Sequence, residues 1–277
     1  MNIKSILELA NKEFVDHKID NYFYEARELM VFTLGKTKEW IMSNTDYELS
    51  DKEYKDFLKV KERRIHGEPL QYILGEQYFM GLKFTVNSDV LIPRADTEIL
   101  VYKVIELLTD KENVKILDVC TGSGCISVSL AKNIKNAKIY ASDVSAKAIN
   151  VAEKNAEINE AEVKFFISDL FSEIPEEKFD IIVSNPPYIN AEDMKTLSKE
   201  VLNEPHLALY GGKDGLDFYK KISKTSLEYL KDDGILVFEI GYNQANDVSD
   251  ILKNFGYSKV EIIKDYSNND RVLVAYR

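Results

Sequence analysis

The residues Asn185-Pro186-Pro187-Tyr188 have the types and spacing to hold a planar amino group. An asparagine side chain offers a carbonyl oxygen that accepts a hydrogen bond. Pro186 offers a backbone carbonyl and has no N–H to compete with it. Two such acceptors can take both hydrogens of an NH2 group and leave its nitrogen facing an electrophile. A residue before proline favours an extended backbone, so successive prolines make a stiff platform with a low ordering cost. Tyr188 can pack against a flat substrate face. Taken alone, the tetrapeptide reads first as a rigid surface turn, because proline pairs often only punctuate loops.

Position reverses that reading. The tetrapeptide follows Asp180-Ile181-Ile182-Val183-Ser184, an apolar run with the character of a buried strand. It therefore sits at a strand's carboxyl end, where ligands bind in open α/β sheets. A second candidate lies upstream. KILDV, ending at Val119, reads as a strand, and Cys120-Thr121-Gly122-Ser123-Gly124 follows it and opens a helix. Gly122 and Gly124 permit close approach of a ligand to the backbone. Such a turn alone serves a nucleotide, a dinucleotide or nothing. Asp143 ends the next strand and is suited to accept hydrogen bonds from both ribose hydroxyls. Its competing role is to cap the helix beginning near Ser145; the glycine-rich loop in register favours ribose. Asp169 and Leu170 follow the third strand. Asp169 either accepts from an adenine amino group or caps the turn, and Leu170 either walls an adenine pocket or joins the core.

The absence of GxxxxGK[ST] argues against a P-loop nucleotidase, and CTGSGC lacks the full GxGxxG of a dinucleotide site. S-adenosylmethionine fits the loop, acidic residue and adenine wall better. Its sulfonium leaving group is already activated, so the protein's main task is positioning. The histidines His17, His66 and His206 are scattered, no Ser-His-acid order competes, and no metal is expected.

These residues need a scaffold. From about residue 115 the chain alternates strand and helix patterns: KILDV, CISVSLAKNI, KIYAS, SAKAINVAEKNAEI, VKFFIS, FDIIVS, LDFYKKISKTSLEYLK, GILVFEI and NDVSDILKNFG. KVEIIKD and RVLVAYR then supply two final strands close enough to pair antiparallel. The alternation predicts a mostly parallel sheet covered by helices, with apolar strand centres buried on both faces. Residues 1–75 read as a small helical bundle. Ser50 and Glu53 fit a capping box for YKDFLKVKERRI, whose apolar face is Tyr54, Phe57, Leu58 and Ile65, and Gly67 ends that helix. Residues 76–93, EQYFMGLKFTVNSDVLIP, predict a β-hairpin linker with Asn87-Ser88-Asp89 near its bend. Residues 94–277 form the third region, opening with a helix from about Thr97 to Leu108.

Composition bounds the function. With 277 residues, 45% hydrophobic, the chain can bury a substantial core. A net charge of −11 argues against a protein that blankets a nucleic-acid backbone. Lys59, Lys61, Arg63 and Arg64 form either a local basic patch or the solvated end of a helix. Cys120 and Cys125 have neither the spacing nor the partners of a zinc site. The start, MNIKSILELANKEF, turns charged before a secretory core develops, and no apolar run reaches the ~20 residues that span a bilayer. A cytoplasmic location is expected.

With these motifs assembled, the chain resembles the protein-(glutamine-N5) methyltransferases of peptide chain release factors. The resemblance covers nearly the whole chain. It rests on RRIHGEPLQYILGEQYFMGLKF (63–84), VLIPRADTE (90–98), DVCTGSGC (118–125) and SNPPYI (184–189). The first two stretches are more specific than NPPY, which other amino-group methyltransferases share. The resemblance implies an α/β fold: a seven-stranded Rossmann-like S-adenosylmethionine-dependent methyltransferase domain, a small N-terminal helical bundle that recognises substrate, and a β-hairpin linker. It implies methyl transfer from S-adenosyl-L-methionine to the glutamine side-chain nitrogen in a release factor's Gly-Gly-Gln motif. Cys120, Thr121, Gly122, Ser123 and Gly124 would form the donor loop, Asp143 would take the ribose and Leu170 the adenine side, with Asn185 beside the donor. Asn185, Pro186, Pro187 and Tyr188 would hold the glutamine amide, with Asn185, Pro186 and Tyr188 catalytic. Arg94 and Glu98 belong to the linker signature and are expected to border the site. The chain departs from the pattern at two positions. Cys120 stands where many relatives have the first glycine of GxGxG, and Leu170 where some have an aromatic residue. The competing expectations are an adenine-specific nucleic-acid methyltransferase, which would need a positive groove and a pocket for a flipped base, and a release-factor-binding protein without activity.

Overall fold

Caps and glycines read from the sequence delimit helices in the computed structural model, which describes residues 1–109 and 111–277. The chain divides into two units, Met1–Gly75 with Ser198–Asn203, and Glu76–Leu197 with Glu204–Arg277. The first holds α1 (Ile3–Asp16), α2 (Tyr22–Leu34), α3 (Lys38–Ser43), α4 (Asp51–Ile65) and α5 (Leu70–Leu74). The expected capping box starts α4. Ser50 Oγ accepts from Glu53 N at 3.3 Å, and the Glu53 carboxylate accepts from Ser50 N at 2.8 Å. The unit's core gathers Phe14, Leu29, Met30, Ile41 and Phe57.

The basic quartet on α4 divides: Lys59 and Arg63 stay on the solvated side, whereas Lys61 and Arg64 are buried. Helical spacing puts Phe57, Val60, Lys61 and Arg64 on the buried side. Burial of a cation is tolerated only with a partner. Lys61 meets Glu13, and Arg64 meets Glu25 and Glu200, the latter on the returning Ser198–Asn203 segment. Arg63 grips Glu68 at 2.6 and 2.7 Å, and Lys59 pairs with Asp56 at 3.0 Å.

The second unit opens with a hairpin, β1 (Glu76–Phe79) and β2 (Leu82–Thr85). Its bend is Met80-Gly81 rather than Asn87-Ser88-Asp89. A type I′ hairpin turn, whose twist matches that of the strands, needs positive φ at both central residues, and Met80 and Gly81 have φ of 50° and 73°. Asn87 instead forms a separate local turn, its Oδ1 accepting from Asp89 N at 2.9 Å. The hairpin packs within this unit: Asn159 Nδ2 donates to Lys83 O at 2.8 Å, and Glu98 on the next helix accepts from Met80 N at 2.6 Å.

Helix α6 (Ala95–Leu107) leads into β3 (Lys115–Val119), α7 (Cys125–Asn133), β4 (Lys138–Asp143), α8 (Ala146–Ile158), β5 (Val163–Ile167) and β6 (Phe179–Ser184). Short helices α9 (Lys199–Leu202) and α10 (His206–Leu209) precede α11 (Asp217–Tyr229), β7 (Leu230–Glu239), α12 (Ala245–Phe255), β8 (Lys259–Lys264) and β9 (Asp270–Tyr276). Helices as short as α9 and α10 show no period, so they were not legible in the sequence. The seven strands run β5-β4-β3-β6-β7-β9-β8, with β9 antiparallel to both neighbours. Alternate residues serve opposite faces. Ile116, Ile181 and Ile235 join Leu100 and Val128 in one core, while Leu117, Ile182 and Leu236 join Tyr219 and Leu252 in the other. Burying each such side chain stabilises the fold by about 1.5–3 kcal/mol.

The strand order reverses at β3, which opens a crevice beyond the carboxyl ends. Register aligns those ends. Val119 pairs with Ser142 and Ser184, and Ser184 pairs with Phe238. One step further on, Cys120, Asp143, Asn185 and Glu239 therefore occupy one row along the crevice.

Candidate active site

The loop after β3 is built around Asp118. This carboxylate is fully buried, and its Oδ2 accepts from Thr121 Oγ1 at 2.6 Å and Ser127 N at 3.2 Å. Burial pushes Asp118 up to about 7, against the pull of those hydrogen bonds. Cys120 follows with φ of 63°, a left-handed conformation that glycine adopts without strain. Gly122 and Gly124 are also left-handed, at 55° and 77°. A Cβ on Gly124 would stand 3.0 Å from that of Ala152, so the loop lies close against α8. At Gly122 a Cβ would meet nothing within 4 Å.

Asp143 carries the loop on its other side. Its Oδ2 accepts from Gly122 N and its Oδ1 from Ser145 N, both at 2.9 Å. The cap of α8 is Ser145, whose hydroxyl accepts from Ala148 N at 3.2 Å. Asp143 is thus not the helix cap, and each oxygen retains a lone pair. Burial raises its carboxyl above the usual range, opposed by the N–H groups of Ser145, Gly122 and Val144. Leu170 is the second left-handed non-glycine residue here, with φ of 54°. Its carbonyl accepts from Ser142 Oγ at 3.2 Å and Ser168 Oγ at 3.1 Å.

The proline segment is clamped from outside the sheet. Ile189 N donates to Leu209 O and Gly211 N to Ile189 O, both at 2.9 Å. Gln244 Nε2 donates to Tyr188 O at 3.0 Å. A Cβ on Gly211 would stand 2.6 Å from Pro187 O and 2.7 Å from Tyr188 Cα, so only glycine fits. Pro186 and Pro187 are buried, and Tyr188 packs on the second core. Desolvation pushes the Tyr188 phenol up to about 12. Asn185 points its Nδ2 at Thr97 Oγ1, 3.4 Å away.

A cavity of about 980 Å³, counting its open mouth, joins these pieces. That is the size of a cofactor cleft. Of the residues expected to hold a donor, Cys120, Thr121, Gly122, Ser123, Asp143, Leu170 and Asn185 line it, and Gly124 sits behind. Asp169 also lines it. Asn185 and Pro187 face it, whereas Pro186 and Tyr188 are not among its walls. Arg94 borders it, ion-paired to the buried Glu204, which also accepts from Ile92 N at 3.0 Å. Glu98 does not border it; its carboxylate holds the hairpin turn at Met80 N instead.

Three contributors were not singled out in the sequence. Asn155 is fully buried on the apolar face of α8. Its Oδ1 accepts from Thr85 N at 2.7 Å, and its Nδ2 donates to Thr85 O at 3.0 Å and Ser123 O at 2.9 Å. An Asn on a helix's apolar stripe was the available signal. Gly211 had none, because close approach is a property of two distant segments. Glu239 ends the apolar strand GILVFE and is only 3% exposed. Burial pushes its carboxyl up to about 7, while Thr97, Arg271 and Asn185 pull it down. Among the described residues no His/Cys/Asp/Glu group could hold a metal, and no helix is long and apolar enough to cross a membrane.

Comparison with known proteins agrees with this architecture. The family profile of the methyltransferase small domain matches residues 96–212, and that of the PrmC N-terminal domain matches residues 5–75. A release factor glutamine methyltransferase of Clostridium acetobutylicum is 41% identical over 281 residues, covering 99% of this chain and 95% of its own. One from Fusobacterium nucleatum is 50% identical over 221 residues, covering 79% of this chain and 61% of its own. A methyltransferase from Pyrococcus furiosus, 20% identical, superposes with a TM-score of 0.55 over 72% of this chain and 90% of its own, a likeness of fold.

Proposed function

The chain belongs to the release factor glutamine methyltransferase family, and from that premise we propose that it methylates the side-chain amide nitrogen of the glutamine in the Gly-Gly-Gln motif of peptide chain release factors. The methyl donor is S-adenosyl-L-methionine, which when bound supplies a methyl group already activated by its sulfonium. The row formed by Cys120, Asp143 and Asn185 along one cavity supports this reading most directly. The residues suit the donor: an acidic side chain with free lone pairs stands across from a glycine whose Cα side is open.

In this reading the backbone of Cys120, Thr121, Gly122, Ser123 and Gly124 wraps the donor. Asp143 accepts from its ribose hydroxyls, and Leu170 gives the adenine an apolar wall. Asn185 borders the donor and, through Oδ1, accepts one hydrogen of the glutamine NH2; the Pro186 carbonyl accepts the other. An amide nitrogen is a poor nucleophile, so orientation carries much of the rate. Both acceptors also favour the positive charge that grows on nitrogen as it reacts. Pro187 stiffens the platform, and Tyr188 anchors it through its ring in the core and its carbonyl on Gln244. The substrate is a protein of the cytoplasm, where we place the reaction.

The test is transfer of labelled methyl to a purified release factor, with the modified residue mapped by mass spectrometry. Asn185→Ala should lower turnover about a hundredfold and leave donor binding, read by calorimetry, nearly intact. Labelling away from the Gly-Gly-Gln glutamine, or a variant that turns over normally, would overturn the assignment.

A further inference from the structure

We infer that Glu239 is a positioning residue: acting through Thr97, it holds the NH2 end of the Asn185 side chain on the buried side, so that the amide oxygen faces the substrate. The inference rests on the reading above, in which Asn185 must accept a hydrogen bond.

An asparagine amide is nearly symmetric in shape but not in hydrogen bonding. A flip about its last torsion would present NH2 to the substrate's own NH2 and abolish the contact. Something must select one orientation. Thr97 alone cannot, although it lies 3.4 Å from Asn185 Nδ2. A hydroxyl either donates or accepts, so it suits both ends of the amide. A carboxylate is different, since when ionised it only accepts.

Glu239 stands where that selection is made. Register puts it beside Asn185, because Ser184 pairs with Phe238 immediately before them. The Thr97 hydroxyl and the Asn185 amide both lie close enough to its carboxylate to favour the ionised form. Thr97 itself is 2% exposed, at the start of α6 where it lines the cavity beside Asn185. Once Thr97 donates to Glu239, its oxygen has only lone pairs left for Asn185. The donor at that end of Asn185 is then Nδ2, and Oδ1 is left for the cavity. Among the described residues Glu239 Oε2 has no hydrogen-bond partner. A buried, under-satisfied carboxylate behind a reacting group calls for a role.

The chain of donors runs in this direction only while Glu239 is ionised. A protonated carboxyl can donate to Thr97 and reverse it. Burial raises this group to about 7, so turnover should rise with pH through neutrality. The charged and titratable groups around it are Asp96 on α6, Cys125 on α7, Tyr188 after β6, Tyr219 on α11 and Arg271 on β9. Arg271 is engaged by Asp96 at 3.1 Å and Asp265 at 3.2 Å. Cys125 and Tyr188 are raised to about 12 and stay neutral across the range. Asp118, also raised to about 7, lies under the donor loop, so its titration belongs to donor affinity.

The experiment measures kcat against pH from 6 to 8.5 with saturating donor and release factor. Wild-type transfer is established first; if it is absent, or if Asn185→Ala is fully active, the reading above fails and carries this inference with it. With transfer established, Glu239→Gln should lower kcat about tenfold to a hundredfold, lose the acid limb near neutrality, and keep the calorimetric affinity for S-adenosylhomocysteine. Wild-type kcat with an unchanged acid limb would overturn the inference and leave the function standing. If Glu239→Gln does not fold, Thr97→Val and Thr97→Ser decide. A fall in kcat with Val that Ser restores supports the relay, and two wild-type rates overturn it.

Discussion

At the scale of single residues, the site gathers backbone conformations and buried carboxyls that each carry a cost. Cys120 and Leu170 both sit in the left-handed region, which costs a residue with a side chain roughly 1–2 kcal/mol. Asp118 and Glu239 are buried carboxyls, both raised to about 7. For Asp118 the consequence for stability has a definite sign. The folded chain holds this proton more tightly than the unfolded chain, where the group titrates near ~4. Its contribution is therefore complete below about pH 4 and is lost as pH rises through about 7. Asp118→Asn removes the dependence. In urea unfolding at pH 5 and pH 8, the variant should gain about 3 kcal/mol on the wild type at the higher pH. An equal difference at both pH values would show that the carboxyl is not held protonated by burial.

At the scale of elements, the proline platform depends on a segment more than twenty positions downstream. Gly211 lets the backbone after α10 lie directly on Pro187 and Tyr188, where a Cβ would come within 2.6 Å of a carbonyl oxygen. The backbone must therefore move for Gly211→Ala, and Asn185 moves with it. A displacement near 1 Å at a reacting group costs about a hundredfold in rate. Methyl transfer should fall by that order while circular dichroism and donor binding stay close to wild type; retained turnover would show that the platform absorbs the shift. Asn155 does comparable work for the donor loop, tying β2 and Ser123 to α8 by three hydrogen bonds.

At the scale of the whole molecule, the chain leaves the helical unit at Gly75 and returns to it at Ser198–Asn203. Within that unit the return is held by Arg64, which meets Glu200 on the returning segment and Glu25 on α2. Asn203 adds a hydrogen bond to Gly67 O at 3.1 Å. Arg64→Ala would leave the Glu25 carboxylate buried and unpaired, at a cost of about 3 kcal/mol to that unit. Amide exchange at residues 198–203 should accelerate in the same variant. Unchanged protection there would mean that Asn203 and packing suffice to hold the segment.

Much of this was legible in the residues alone. The strand and helix alternation, the Ser50 cap, the loop after Val119 and the strand-end position of Asn185 follow from periodicity and local chemistry, which each segment carries by itself. The tertiary structure decided the rest. It turned Lys61 and Arg64 of the basic quartet on α4 inward, because acids from other helices and from Glu200 arrived to neutralise them, and left Lys59 and Arg63 exposed. It moved Glu98 from the site to the hairpin turn. It also set Glu239 beside Asn185, through a strand pairing between segments about fifty residues apart. No local pattern encodes which distant group a buried side chain will meet, and that pairing is what gives the Asn185 amide an oriented face.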